Sequence, residues 1–370
     1  MSQPLSPLRI GQHIARHPIV QGAMAVRVSG GNLAGAVANA GGVGVISTLG
    51  LGLMRDRSHS QKSQGQFFEA NRLALIEELQ KARAISPDGV IGVNIITATR
   101  DYPELAQVAA AHGANLIITA AGLPLQLPEY VNEYPEVALV PMVCGVEAAQ
   151  KICQAWQTNY GRLPDAFAVE NSRAVGGHFG TTCDDFSNTI NYVLPAIQQM
   201  LLTQFGQDIP LIATGGVWDR ADVDAMLALG AKGVQVGTRF ITTHECDADP
   251  RYKEFHLKAR ADDVMIVPSP VGKPARALGN AFAERAIAKE SSQLERQCVA
   301  NCLEACLCRD RRATYCIIQA LAKAASGDIE NGLVFSGANV GRAERLMSVV
   351  EVMDELTQSP VAFNFHGVYH

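Results

Sequence analysis

The sequence is poor in charged and aromatic side chains and has no long apolar run. Of its 370 residues, 18% are charged and 6% are aromatic, with 31 Lys and Arg against 36 Asp and Glu. A net charge of −5 provides no basic surface for nucleic acid or for an anionic membrane. No stretch reaches the roughly 18 uninterrupted apolar residues that a membrane-spanning helix needs. We therefore expect neither nucleic acid nor a membrane as a partner.

Signs of secretion are also missing. Residues 1–20 (MSQPLSPLRIGQHIARHPIV) lack the apolar central run of a signal peptide, so we expect a cytoplasmic protein. Nine cysteines, an odd number, do not favour a disulfide framework. Hydrophobic residues make up 48% of the chain, which is enough for a sizeable core.

Short apolar runs that end in glycine or a polar residue recur through the first 240 residues. They are nearly continuous in Val, Ile and Ala, which is typical of strands buried on both faces, and helix-like stretches lie between most of them. Eight such units predict an α/β fold of the (β/α)8 TIM-barrel type. The predicted strands are residues 18–21, 43–47, 90–95, 115–119, 137–143, 166–170, 210–214 and 233–237. A doubly wound nucleotide-binding sheet is the alternative, but the glycines at 41–44 precede an apolar run instead of following one.

The pattern changes after Phe240. We predict a barrel over residues 1–240 and a mainly helical C-terminal appendage over residues 241–370. Within the appendage, a strand-and-turn segment is expected near residues 264–280. Helices are predicted over residues 242–263, 281–307, 314–325 and 342–356. The polar residues 52–70 are expected to form a long loop over the active face of the barrel.

Two glycine turns follow the last two predicted strands. Gly215-Gly216 ends the seventh strand, and Gly237-Thr238 ends the eighth. Barrel enzymes build phosphate sites from the backbone N–H groups of these two loops. The turns therefore predict a cofactor held by a phosphate, although glycines that only tighten the turns remain the alternative.

The sixth strand leads into a segment with catalytic potential. Glu170 and His178 lie at or just beyond its C-terminal end, where barrel enzymes carry out their chemistry. A neutral histidine there can transfer a proton or donate a hydrogen bond. Gly176-Gly177 would let the backbone approach a flat ligand closely. A purely structural histidine is the alternative.

Six segments together resemble the nitronate monooxygenase family, which includes the FMN-dependent enoyl-acyl-carrier-protein reductases. The resemblance covers roughly residues 10–290, with the motifs in the same order as in the family. The segments are QGAMA (21–25), GVN (92–94), ENSRAVGGHFG (170–180), ATGGVWDRADV (213–223), GVQVGTRF (233–240) and SPVGKPARALGN (269–280).

The resemblance implies one non-covalent FMN at the C-terminal face of the barrel and no metal in the site. His178 would face the substrate as the catalytic residue. The residues implied beside the flavin ring and ribityl chain are Gly22, Ala23, Met24, Asn94, Glu170 or Asn171, Gly176 and Gly177. Those implied around the phosphate are Gly215, Gly216, Gln235, Gly237 and Thr238. The segment from Glu170 to His178 is one residue longer than in many relatives, which weakens the assignment of Glu170 to a particular flavin atom, and Arg173 there hints at an anionic substrate or a nicotinamide phosphate.

The function that this resemblance implies is an FMN-dependent oxidoreductase, with oxidation of alkyl nitronates by O2 as the first expectation. The alternatives are an NAD(P)H-dependent enoyl-acyl-carrier-protein reductase and an NADH:quinone reductase on the same flavin site. A binding barrel without flavin is disfavoured by the intact glycine turns. The expected partner is a small molecule, namely a nitronate, an enoyl thioester or a quinone. NAD(P)H and a homodimer remain open.

Five cysteines fall in one short C-terminal stretch: Cys298, Cys302, Cys306, Cys308 and Cys316. The first three are four residues apart and would form one stripe on a helix. We expect them to pack that helix against the barrel without serving the flavin chemistry. An iron–sulfur or metal site, which would need four converging thiolates, and a redox thiol pair are the alternatives. A similar segment in some relatives continues to Gly337-Ala338-Asn339, and its role is open.

Overall fold

The eight predicted strands form one closed parallel barrel. The computed structural model describes residues 4–54, 64–180, 189–288, 298–311 and 314–358. The barrel strands, in chain order, are β3 (Ile19–Gln21), β4 (Val43–Ser47), β5 (Val90–Ile96), β6 (Leu116–Ala120), β7 (Ala138–Val143), β8 (Phe167–Glu170), β10 (Leu211–Thr214) and β11 (Gly233–Val236). The ring closes where β11 pairs with β3, with Val236 opposite Gln21. The (β/α)8 prediction is confirmed, and every predicted strand matches within one residue at each end.

A small hairpin closes the N-terminal end of the barrel. Its strands are β1 (Leu8–Ile10) and β2 (His13–Ala15). Leu8, Ile10 and Ala15 join the cluster of apolar side chains that fills the barrel interior. The lower part of the barrel is therefore a packed core, and the C-terminal end is where a barrel enzyme binds its ligand.

Thirteen helices surround the barrel or extend from it in the described residues. They are α1 (Gly31–Asn39), α2 (Gln64–Ile85), α3 (Tyr102–Ala111), α4 (Leu127–Tyr130), α5 (Val146–Tyr160), α6 (Ile190–Met200), α7 (Arg220–Ala228), α8 (Thr238–Ile241), α9 (Pro250–Lys258), α10 (Ala281–Ile287), α11 (Leu307–Arg311), α12 (Ile317–Ala325) and α13 (Val349–Thr357). In the part of the chain that the structure describes, no helix is long and apolar enough to cross a bilayer.

The outer ring of helices is completed from the far end of the chain. After the eighth strand, α8 makes only one turn, and α13 packs between α1 and α7. Val352 and Leu356 of α13 are buried in one cluster with Leu33 of α1. Arg239 of α8 also forms an ion pair with Glu355 of α13. The division of the chain at residue 240 stays a prediction, and the last described helix lies on the barrel.

The segment after α8 departs from the predicted helix over residues 242–263. Helix α1 begins after Gly30, which has no side chain to cap it. Asp247 supplies the cap, because its carboxylate accepts hydrogen bonds from the N–H groups of Gly30 (2.8 Å) and Leu33 (3.1 Å). The backbone around Asp247 is irregular where its carboxylate caps α1, and helix α9 starts only at Pro250.

A second sheet extends the C-terminal face of the barrel. Strands β12 (Val264–Val267) and β13 (Ala275–Leu278) form the predicted strand-and-turn segment, and β13 pairs antiparallel with β9 (Gly177–His178). His178 lies opposite Ala275 in this register. The loop after the sixth barrel strand is thereby anchored to the C-terminal part of the chain.

The helix predicted over residues 281–307 is confirmed over Ala281–Ile287 and is wrong over residues 298–306, while residues 289–297 lie outside the described residues. Residues 298–306 are irregular, so Cys298, Cys302 and Cys306 do not form a helical stripe. Hydrogen bonds to the loop after β5 replace helical ones: Arg100 N–H donates to Cys302 O (2.9 Å) and Glu304 N–H to Ala98 O (3.0 Å).

Two other boundaries also differ from the prediction. Helix α2 already begins at Gln64, so the loop predicted over residues 52–70 is shorter, and its residues 55–63 lie outside the described residues. The helix predicted over residues 342–356 begins only at Val349, after a short 3₁₀ turn at Val340–Arg342.

Candidate active site

Polar side chains form a layer at the C-terminal ends of the barrel strands. Side chains alternate between the two faces of a strand, and Val45, Ala168 and Ile212 point into the interior core. The residues two positions further along each strand therefore also face the interior, one layer closer to the C-terminal end of the barrel. Five strands contribute a polar group to this layer: Ser47, Asn94, Glu170, Thr214 and Gln235. Asn94, Glu170 and Gln235 were predicted site residues, whereas Ser47 and Thr214 were missed because short hydroxyl residues give no distinctive signal.

Glu170 is held by its own loop. One carboxylate oxygen, Oε1, accepts hydrogen bonds from Ser172 Oγ (2.7 Å) and Gly180 N–H (2.8 Å). Burial raises the pKa of Glu170, and these two hydrogen bonds act in the opposite direction. Glu170 thus fixes the start and the end of the 170–180 loop, and its contact with a flavin stays a prediction.

His178 lies in the same loop with a defined partner. Its Nε2 is 2.6 Å from Ser269 Oγ, and its ring meets Phe335 edge to face at 5.2 Å between centroids. Desolvation lowers the pKa of His178 to about 4, so the imidazole is neutral near pH 7. The partner Ser269 was missed, although it opens the motif SPVGKPARALGN that was noted in the sequence.

Arg276 is a second residue that sequence reasoning missed. It is buried in β13 and donates from Nη2 to Ser172 O (3.2 Å) and from Nη1 to Val175 O. Its guanidinium also lies over the Phe179 ring at 5.1 Å. Arg276 therefore positions the 170–180 loop from the neighbouring strand, and its presence in the same motif was the available signal.

The glycine pair before His178 packs against the protein's own backbone. A Cβ atom on Gly176 would lie 2.6 Å from the carbonyl carbon of Ser336 and 2.7 Å from Gly337 N. Gly177 has a φ of +75°, which an L side chain rarely adopts. The two glycines therefore make room for the backbone and side chains of residues 335–337. The predicted close approach of a flat ligand to these glycines stays a prediction.

The two predicted phosphate turns lie side by side, and one segment near the C-terminal end packs on both. Gly215 and Gly216 have φ values of +97° and +88°. Gly216 O accepts a hydrogen bond from Asn339 Nδ2 (2.7 Å), and Thr238 Oγ1 accepts one from Gly337 N–H (2.8 Å). The segment Gly337-Ala338-Asn339, whose role the sequence left open, therefore lies on these turns.

The residues at this face fit a phosphate-bearing flavin. Gln235 Oε1 is buried and has no hydrogen-bond partner among the described residues, so it can bind a polar ligand group. The Thr238 hydroxyl oxygen is already an acceptor, which leaves its proton free to donate to a phosphate oxygen. Gly22 lies against the second turn, because a Cβ atom there would be 3.1 Å from Gly237 Cα.

The first loop of the barrel contributes the apolar side of this face. Ala23 packs onto the interior cluster, and Met24 packs onto the cluster behind β11. A Cβ atom on Gly237 would lie 3.7 Å from Met24 Sδ, which is ordinary van der Waals contact. The structure thus brings the predicted residues of β3, β8, β10 and β11 to one end of the barrel, and Asn94 of β5 joins them.

A closed (β/α)8 barrel that carries a neutral histidine and paired glycine turns at its C-terminal face has the arrangement of a TIM-barrel enzyme. The family model of nitronate monooxygenase matches residues 6–359. The chain therefore belongs to the nitronate monooxygenase family.

Individual relatives agree with this assignment. A probable nitronate monooxygenase of Staphylococcus saprophyticus is 27% identical over 288 residues, covering 72% of this chain and 77% of the relative. A 5-hydroxy-7a-methyl-1-oxo-octahydro-1H-indene-4-carboxyl-CoA dehydrogenase of Mycobacterium tuberculosis is 27% identical over 269 residues, covering 73% of this chain but only 65% of that relative. Among solved structures, FabK from Thermotoga maritima superimposes with a TM-score of 0.70 at 26% identity and covers 92% of both chains. A nitroalkane oxidase from Streptomyces ansochromogenes shares the fold, with a TM-score of 0.65 at 20% identity and 92% and 94% of the two chains covered.

Proposed function

We propose that this protein is an FMN-dependent enzyme that oxidises alkyl nitronates with O2. The observation that carries the proposal is the neutral His178, bonded to Ser269 Oγ at 2.6 Å beside the polar layer of the barrel. FMN would supply the electron transfer between the substrate and O2. The protein would bind the cofactor, orient the substrate and transfer the substrate proton where one must be removed.

The geometry of the turns supports the proposed cofactor contacts. The backbone at Gly215, Gly216 and Gly237, with the hydroxyl of Thr238, would hold the phosphate. Gln235 Oε1 would accept a hydrogen bond from a ligand hydroxyl or N–H. The remaining contacts are proposed as the resemblance implies them, with Gly22, Ala23, Met24, Asn94, Glu170, Gly176 and Gly177 beside the ring and ribityl chain.

His178 would act on the substrate through its neutral imidazole. A neutral imidazole can donate a hydrogen bond to an anionic nitronate oxygen, and it can accept the C–H proton of a neutral nitroalkane. A protonated histidine could do only the first. Because burial lowers the pKa of His178 to about 4, its imidazole is neutral across the neutral pH range but is a weak base, which favours the hydrogen-bonding role.

A second candidate is the reduction of an enoyl thioester with NAD(P)H, and two observations favour it. One is the similarity to FabK over 92% of the chain. The other is a groove of about 650 Å³ that opens beside the C-terminal ends of β5 and β6, lined among others by Thr97, Tyr102, Leu123 and Leu125. The volume of this groove lies within the usual range of ligand pockets, so the groove could hold part of a large substrate.

Anaerobic mixing of the purified holoenzyme separates the two candidates. We expect propionate-3-nitronate to bleach the flavin absorbance, and NADH and NADPH to leave it unchanged. Rapid bleaching by NADH or NADPH, with none by the nitronate, would contradict the first candidate and support the second. A protein that stays colourless after incubation with FMN would overturn both.

Replacement of the histidine tests its role. We expect His178→Ala to retain FMN and to lose on the order of 10²-fold in turnover. The loss should be smaller with a nitronate anion than with the neutral nitroalkane, since the anion has no C–H proton to remove. His112→Ala, at the exposed end of α3, is the matched control. Wild-type turnover of the His178 variant would show that this histidine is structural.

A cytoplasmic location and a homodimer stay predictions, to be tested by fractionation and sedimentation.

A further inference from the structure

The five C-terminal cysteines belong to a stretch that packs beside the turn between β12 and β13. Residues 298–311 and 314–316 are called the cysteine loop below. Its thiols and Tyr315 share one apolar cluster with Val267 and Ala275, the paired residues that close this turn. The buried thiols are Cys302, Cys308 and Cys316, and the partly buried ones are Cys298 and Cys306. Among the described residues, no group of His, Cys, Asp and Glu side chains is placed to hold a metal ion.

Two hydrogen bonds from the cysteine loop hold the start of the turn. Tyr315 donates from its hydroxyl to Pro268 O (2.8 Å), and Leu307 N–H donates to Pro270 O (2.9 Å). A proline has no backbone N–H group, so neither position can donate the kind of hydrogen bond that pairs strands. The two carbonyls accept from the cysteine loop instead, and the backbone on both sides of Ser269 is thereby held.

Ser269 connects this segment to the candidate catalytic histidine. Its Oγ is 2.6 Å from His178 Nε2, and it accepts a hydrogen bond from Val271 N–H at 3.4 Å. Tyr315 also hydrogen bonds with the Ser269 side chain: burial raises the pKa of Tyr315, and this hydrogen bond opposes the rise. Tyr315 is therefore linked to His178 through one intervening side chain.

The Tyr315 ring is packed firmly enough to hold its hydroxyl in place. The residue is only 2% exposed, and its ring meets the Phe282 ring edge to face at 5.0 Å between centroids. Replacement by phenylalanine keeps this packing and removes only the hydroxyl. Pro268 O then loses its donor, and the turn is no longer held on that side of Ser269.

We propose that Tyr315 is a positioning residue of the candidate active site, and that its hydroxyl keeps Ser269 against His178. This gives the cysteine loop a role beyond the proposed function, because the loop supports the histidine's partner whichever substrate is used. Phe335, whose ring also contacts His178, packs against the same apolar cluster as Tyr315. The packing of the cysteine loop and the surroundings of His178 are therefore coupled.

The ionisation of His178 reports on this contact. Desolvation holds the pKa of His178 at about 4, below its ordinary value of 6.5. If Ser269 moves away in Tyr315→Phe, water reaches the imidazole and the pKa of His178 rises toward 6.5. A tyrosine that only fills space would leave this pKa unchanged, because phenylalanine keeps the ring.

The test is nuclear magnetic resonance of the full-length protein with 13C-labelled histidine and FMN in excess, in which His178→Gln identifies the His178 signal. We expect this signal to stay constant in the wild-type protein between about pH 5.5 and about pH 8, and to titrate within that range in Tyr315→Phe. Tyr102→Phe is the matched control and should behave like the wild type. It removes a buried hydroxyl that has no hydrogen-bond partner among the described residues.

A constant His178 signal in folded Tyr315→Phe would overturn the proposal, and so would the same titration in Tyr102→Phe. Circular dichroism checks that each variant is folded. Where Tyr315→Phe does not fold, Ser269→Ala decides, because Tyr315 acts on the histidine through Ser269; a constant signal in that variant also overturns the proposal. The titration needs no turnover, so a failure of this inference is distinguished from a failure of the proposed function.

Discussion

The buried neutral state of His178 predicts a specific loss of stability in acid. Desolvation takes the pKa of His178 from 6.5 to about 4 in the folded protein. As the pH falls, His178 therefore takes up a proton near pH 6.5 in the unfolded chain but only near pH 4 in the folded chain. The stabilisation is complete above pH 6.5 and is lost as the pH falls toward 4. Since one pKa unit corresponds to about 1.4 kcal/mol, the full effect is about 3 kcal/mol.

His178→Gln isolates this contribution. Glutamine can keep a hydrogen bond to Ser269 but does not titrate in this range. His256, also buried with its pKa lowered to about 4, is present in both proteins, so its effect cancels. We expect the wild-type protein to lose about 2–3 kcal/mol more than the variant between about pH 7.5 and about pH 4.5.

Urea unfolding of both proteins at the two pH values, with FMN in excess, measures this difference. Equal losses in the two proteins would refute the reasoning, because they would mean that His178 titrates normally in the folded state. A larger loss in the variant would reverse the sign and would require His178 to be charged in the native protein.

Two further predictions concern the cofactor and the helix ring. Gly237→Asp should fold, because a Cβ atom at this position meets only the Met24 side chain, at ordinary distances. It should bind no FMN, because its carboxylate opposes the phosphate. Flavin absorbance of the purified variant checks this, with Ala225→Asp on the exposed face of α7 as the charge control, and a yellow Gly237→Asp protein would contradict it. Leu356→Ala in α13 should cost about 2–5 kcal/mol of unfolding free energy if this helix completes the ring, whereas Val350→Ala, 58% exposed on the same helix, should cost less than about 0.5 kcal/mol; similar denaturation midpoints for the two variants would show that α13 adds little to the barrel.

The barrel strands could be predicted from the sequence because their signals are local. Each is a short run of Val, Ile or Ala that ends in glycine or a polar residue, as in residues 43–47 and 90–96. Burial on both faces makes such runs continuous, and parallel connection by helices makes them recur at regular intervals. The position of the candidate site followed from the strand order alone, since the C-terminal ends of all eight strands meet there.

The irregular segments could not be predicted in this way, because contacts from distant residues decide their backbone. Asp247 caps α1 across more than 200 residues of chain, and that contact keeps residues 242–249 out of a helix. The carbonyl of Cys302 is bonded to Arg100 N–H instead of to its own helix, so the cysteine spacing of four gives no stripe. Local periodicity indicates a helix in both places, and tertiary hydrogen bonds override it.

The sequence by itself determined the barrel, the glycine turns and the place of His178 in the loop after the sixth strand. Only the tertiary structure decided what surrounds them. It sets Ser269, 91 residues away, against His178, and it lays Gly337-Ala338-Asn339 on the phosphate turns. It also brings α13 into the eighth position of the helix ring. These contacts join segments that are far apart in the chain, and no local spacing of residues encodes which distant surfaces are complementary in shape and hydrogen bonding.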